Sequence, residues 1–129
     1  MPAGDAFSEK QSEDISRTIR LAEENSDLHY SVYVGALEGE PRAHAQRLHA
    51  ALDDPANSVL VAVDPGGRHL EIVTGSEAAR WLDDRSCWLA ALSMTTQFAA
   101  GDLSGGIVNG LRSMSEHARH PRTLHTDTP

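Results

Sequence analysis

The residues of this sequence with the greatest chemical reach are carboxylates, several of which fall close together. Hard cations such as Mg²⁺ and Ca²⁺ take carboxylate and carbonyl oxygens, so a cation site needs two or more acidic side chains converging on one point. Asp83 and Asp84 form an adjacent pair, Asp102 follows a glycine, Glu38 and Glu40 flank Gly39, and Asp64 opens a Pro-Gly-Gly turn. Each also has a structural use. Asp102, and either Asp83 or Asp84, suit helix N-caps, because a short carboxylate accepts the unpaired N–H groups of a first turn. Asp64 suits the first position of a tight turn.

Other chemistry is less well placed. Among the seven histidines, His44 and His49 are five apart, so on a helix they point about 140° away from each other and cannot share a zinc ion. His117 and His120 lie near the C-terminus with no thiolate beside them. No Gly-x-Ser-x-Gly elbow, Walker loop or dinucleotide-binding glycine pattern occurs, and Ser104-Gly105-Gly106 falls inside a helical segment, where glycines permit close helix packing. Cys87 reads as a small buried residue on an apolar stripe; an exposed sulfur near a helix N-terminus would instead be acidified. Trp81 and Trp88, seven apart, read as core rather than as an interaction patch.

The elements that must position these groups follow from periodicity. Ser8 with Gln11 makes a capping box, and Ile15, Ile19 and Ala22 recur at helical spacing, giving a first helix over about residues 8–26. HYSVYVGAL (29–37) is β-branched and aromatic on both faces, as a buried central strand would be. Pro41 opens a helix whose packing face is Ala45, Leu48 and Leu52, and Asp53-Asp54-Pro55 stops it before the strand NSVLVAVD. Strand, helix, strand implies a parallel pair, and the turn at Asp64-Pro65-Gly66-Gly67 makes RHLEIVTG an antiparallel third strand. SEAARWLDD reads as a short helix. Cys87, Ala91, Met94, Thr95 and Phe98 mark a longer one, and Leu103, Ile107, Leu111, Met114 and Ala118 a last one capped by Asp102.

The order is α-β-α-β-β-α-α-α, a three-layer α/β/α sandwich around a small mixed sheet, because strands apolar on both faces need helices on both sides. Residues 1–7 are expected to be a flexible lead, 8–119 the domain and 120–129 a disordered tail. Glu38 and Asp64 then stand at the carboxyl ends of neighbouring parallel strands, where open α/β sheets place ligands. Asp84 and Asp102 fall at opposite ends of a helix about 22 Å long, too far apart for joint ligation if it is straight.

The segments AEENSD, HYSVYVGAL, NSVLVAVD with HLEIVTG, the Asp pair after a short helix, and FAAGDLSGGIVNGL resemble, in this order, the TPM domain family. That family includes thylakoid proteins linked to photosystem II repair and an acetylcholine-receptor-associated protein. More narrowly, about residues 8–118 are similar to an actinobacterial branch with no assigned function. The resemblance implies an α/β/α sandwich, divalent metal binding in some members, and a weak acid phosphatase activity in a thylakoid branch. The positions matching its acidic pattern are Asp83 and Asp84, after Trp81-Leu82, and Asp102. Many members carry a signal segment and a C-terminal membrane helix, and this sequence shows neither.

Composition bounds the function. A chain of 129 residues, 40% hydrophobic and 23% charged, holds one ordinary domain. Nineteen acidic against eleven basic residues give a net charge of -8, which disfavours nucleic acid and anionic membranes. Half of that excess lies in residues 1–30, where Asp5, Glu9, Glu13, Asp14, Glu23, Glu24 and Asp27 face Lys10, Arg17 and Arg20. The acidic first helix therefore suits a protein partner. One cysteine, no apolar run of membrane length and no signal-like start suggest a cytoplasmic protein without membrane insertion. Two functions stand: a non-enzymatic binding or adaptor module, and a phosphomonoesterase assisted by Ca²⁺ or Mg²⁺ bound to Asp83, Asp84, Glu38 and Asp64. No cofactor is required by the first.

Overall fold

The computed structural model describes residues 7–118. The helices are α1 (Glu9–Ser26), α2 (Pro41–Ala50), α3 (Asp84–Ala99) and α4 (Leu103–His117), and the strands are β1 (His29–Val34), β2 (Ser58–Asp64) and β3 (His69–Thr74). The sheet order is β1-β2-β3, with β1 parallel and β3 antiparallel to β2. This is the expected mixed sandwich. The expected tail, 120–129, lies outside the described residues, as do residues 1–6 of the lead. Phe7, assigned to that lead, is buried against the core.

Two-residue periodicity in β2 divides the core. Val59, Val61 and Val63 face α1, α3 and α4 together with Tyr30, Met94, Ile107 and Leu111. Leu60 and Ala62 face the other way, against Ala45, Leu37 and Val73 under α2. All seven residues of β2 are buried. Each fully buried aliphatic side chain contributes about 1.5–3 kcal/mol, so β2 anchors both layers. β1 corrects the sequence reading: it is an edge strand, because the β2–β3 hairpin occupies one side of β2 and the crossover through α2 places β1 on the other.

Side chains occupy both outer edges of the sheet. On β1, the Tyr30 N–H donates to Glu23 Oε2 of α1 at 3.0 Å. On β3, Arg42 Nη1 of α2 donates to the Ile72 carbonyl at 2.7 Å and lies 3.3 Å from Glu71. Inside, the Tyr30 hydroxyl is buried close to the Ser26 hydroxyl, which itself donates to the Ala22 carbonyl at 2.7 Å. Burial pushes the Tyr30 phenol above its usual range. His49, also buried, donates from Nε2 to the Ser58 carbonyl at 2.9 Å, which fixes the end of α2 to the start of β2.

Local signals set the helix boundaries. The Ser8–Gln11 capping box is formed, Pro41 opens α2, and Asp83 and Asp102 cap α3 and α4. The short helix expected in SEAARWLDD is a single 3₁₀ turn, Ala78–Arg80. It has no room to continue, because buried Leu82 and the Asp83 cap follow at once. Close packing of α3 on α4 depends on glycine: a side-chain carbon at Gly106 would strike the Phe98 ring, and one at Gly110 would strike Met94. Gly105 instead accommodates the Asp102 cap. No helix among the described residues is long and apolar enough to cross a membrane.

Candidate functional site

The end of β2 is where the fold gathers polar groups. Asp64 closes that strand, and the chain must reverse before β3 begins at His69. Its carboxylate organises the reversal: Oδ1 accepts the Gly67 N–H at 2.9 Å and Oδ2 accepts the Leu37 N–H at 3.0 Å. The second bond ties the turn to the loop after β1. Asp64 is only 9% exposed. The bonds from Leu37 and then Gly67 hold its carboxyl below the usual range, against the opposing effect of burial and with help from His69. A side chain at Gly67 would collide with this carboxylate and with the His69 ring, and Arg68 follows in the left-handed region at φ 59°.

A pocket of about 580 Å³ opens beside this turn, between the hairpin and the junction of α3 with α4. Val63, Phe98 and Leu103 contribute apolar walls, and Asp64, Arg68 and His69 contribute polar groups. Arg68 makes no hydrogen bond or ion pair among the described residues. A second hollow of about 500 Å³ lies between α1 and α4, lined by Thr18, Leu21, Arg112 and Glu116 among others.

The acidic residues singled out in the sequence fall at three helix starts, in the β1–α2 connection and at the β2–β3 turn. Asp83 caps α3, accepting the Ser86 N–H at 2.9 Å, and this bond holds its carboxyl below the usual range. Asp84 is in the first turn of the same helix. Asp102 caps α4 by accepting the Gly105 N–H at 3.0 Å, at the far end of α3. Glu38 is exposed in the β1–α2 connection, where its own N–H donates to His44 Nδ1 at 2.9 Å. Glu40 caps α2. Only Asp64 lines the pocket. Among the described residues, no three of His, Cys, Asp and Glu gather closely enough to hold a metal ion.

Two further sequence readings are settled by geometry. Cys87 is half-buried, and its thiol is pushed up to about 11, by burial first and then by Asp84 and Asp83, the opposite direction to acidification. Trp88 corrects the core assignment: it is 63% exposed, with Leu89 at 41% and Leu92 at 51%, on the outer side of α3. Trp81 alone of the two packs against the core. Arg68 and His69 were not singled out in the sequence, and Phe98 reads there only as part of the apolar stripe of its helix. Their signal is weak, since the DPGGRH turn and the α3–α4 junction meet only in the fold.

Comparison with known proteins places this geometry among relatives. An uncharacterized protein of Mycobacterium tuberculosis, found in strains CDC 1551 and H37Rv, is 26% identical over 88 residues, covering 68% of this chain and 53% of the relative. The chain thus spans about half the length of the curated relatives it matches. Solved structures share its fold. The BA42 protein of the psychrophilic bacterium Bizionia argentinensis superposes with a TM-score of 0.79 at 20% identity, covering 87% of this chain and 81% of that one. The N-terminal domain of a Corynebacterium glutamicum protein gives a TM-score of 0.75 at 16% identity, covering 89% and 76%. The family described as a domain of unknown function, DUF5130, matches residues 2–115, and the chain belongs to that family.

Proposed function

We propose that this domain is a protein-binding module without chemistry of its own, and that the surface it offers is the outer face of α3. The observation that carries this reading is the exposure of Trp88, Leu89 and Leu92 on a helix with no charged residue from Ser86 to Gly101, in a chain that is 23% charged. Contiguous exposed apolar side chains, tryptophan above all, mark surfaces that a partner covers. The acidic α1 offers less. Asp14 is engaged by Lys10 and Arg17, and Glu23 by the Tyr30 N–H.

The partner that fits is a second copy of the chain. At a net charge of -8, two copies repel wherever carboxylates meet, and the uncharged face of α3 is where they approach at least cost. Two such helices related by a twofold axis bury Trp88 and Leu92 by ridge-into-groove packing. Sedimentation velocity from about 10 μM to about 1 mM tests this. A concentration-dependent dimer, lost in Trp88→Glu and Leu92→Glu with unchanged far-UV circular dichroism, is expected. A monomer throughout, or a dimer indifferent to both substitutions, overturns it.

The resemblance of the sequence to the TPM family, whose thylakoid branch includes a weak acid phosphatase, supplies the alternative function. Aryl phosphate hydrolysis by the same preparation, with and without Mg²⁺ or Ca²⁺, decides between them. Metal-dependent turnover that is lost in Asp64→Asn or Asp83→Asn replaces the binding-only reading.

A further inference from the structure

We infer that the pocket beside the β2–β3 turn is a binding site for a small organic carboxylate with an apolar body. Its volume, about 580 Å³, falls within the range of small-molecule pockets. Val63, Leu70, Phe98 and Leu103 supply the apolar surface that such a body would cover.

The preference for an anionic head comes from the rim. Arg68 is exposed and makes no ion pair or hydrogen bond among the described residues, in a chain whose acidic residues outnumber its basic ones nineteen to eleven. A guanidinium offers a planar fork of donors that matches a carboxylate bidentately. His69 stands next to it on the same rim. Helix α4 begins at Leu103, itself a lining residue, but the Asp102 carboxylate caps its positive end, so that end adds nothing to the attraction and Arg68 carries the preference. The opposing charge is Asp64. Both of its oxygens are already turned to the Leu37 and Gly67 N–H groups, so it serves the turn and leaves Arg68 as the open polar contact.

Alkyl and aryl carboxylates share this chemistry, and octanoate and 3-phenylpropanoate distinguish them. Titration of the full chain, followed by amide chemical shifts, is expected to move residues 64–70 and 98–103 with one of these probes at about 1 mM or below. Arg68→Ala should weaken carboxylate binding about tenfold or more while leaving octan-1-ol, which lacks the charge, unaffected. Thr95→Trp, which places a bulky ring from the exposed side of α3 into the pocket, should abolish both. Shifts mapping elsewhere, no saturable binding of either carboxylate, or carboxylate affinity unchanged in Arg68→Ala would each overturn the assignment. Arg68→Ala leaves the dimer test untouched, since Arg68 lies on the β2–β3 turn and the pocket does not include Trp88 or Leu92.

Discussion

Asp64→Asn removes the charge that fastens two loops while leaving the shape of the side chain nearly intact. In the wild type, one carboxylate accepts from Leu37 at 3.0 Å and from Gly67 at 2.9 Å. An amide can accept only one of these, and its NH₂ group then faces a second N–H donor. Leu37 is 6% exposed, so its N–H cannot readily turn to water, whereas Gly67 lies in the open turn. Hydrogen bonds to a charged group contribute about 1.5–3 kcal/mol each, and the solvent-exposed one is largely replaced by water. The expected loss at pH 7 is therefore about 2 kcal/mol, or about 6–10 °C in Tm for a domain of this size. The pH dependence has a definite sign. Because the folded carboxyl titrates below its unfolded value of roughly 3.9, its contribution is fully present above that value and is lost as pH falls through the lower folded one. Urea unfolding of both proteins at pH 7, 5 and 3, followed by far-UV circular dichroism, should show a constant gap at the first two and a smaller one at the third. A gap at pH 7 below about 0.5 kcal/mol, or one that persists undiminished at pH 3, would refute the fastening role.

Two other substitutions and one labelling experiment probe the frame around the site. Gly75→Ala drives a side-chain carbon into the backbone carbonyls of Pro55 and Ala56, which cannot move without breaking the Glu77 N–H bond to Ala56; a loss of about 3 kcal/mol by urea titration is expected. Gly39→Ala meets no neighbour and suffers only from its left-handed φ of 68°, so its cost should be near 1 kcal/mol, and a reversal of this order would contradict the packing described. Cys87 should react slowly with iodoacetamide at pH 8, with a rate that rises about tenfold per pH unit towards pH 10, because its thiol sits at about 11. A rate that levels off near pH 8 would show an ordinary or acidified thiol instead.

What could be read in the sequence was what is decided locally. The Ser8–Gln11 box, the Pro41 start and the Asp102 cap each depend on residues within one turn, and the alternation in β2 follows from its own composition. β1 misled because apolar residues on both faces tell of two covering layers, not of two neighbouring strands; with only three strands, one such strand must stand at an edge. In α3 the apolar residues run nearly all round, so a stripe through Cys87, Ala91, Met94 and Phe98 could be found while Trp88 and Leu92 pointed outward. The Asp64–Leu37 bond joins residues 27 apart, and the pocket joins a hairpin to a helix junction some thirty residues later. Neither leaves a trace in local spacing.

The two side chains that sit on the sheet's outer strands have a consequence beyond holding helices in place. A bare strand flank is a template: its N–H and C=O rows recruit any extended chain, which is the route to strand exchange and fibril growth. Here a carboxylate, Glu23, stoppers a donor on β1 and a guanidinium, Arg42, stoppers an acceptor on β3, each matched to the group it blocks. One donor on β1 and one acceptor on β3 are thereby withdrawn from pairing with a further strand, which makes each flank a poorer template than a bare one.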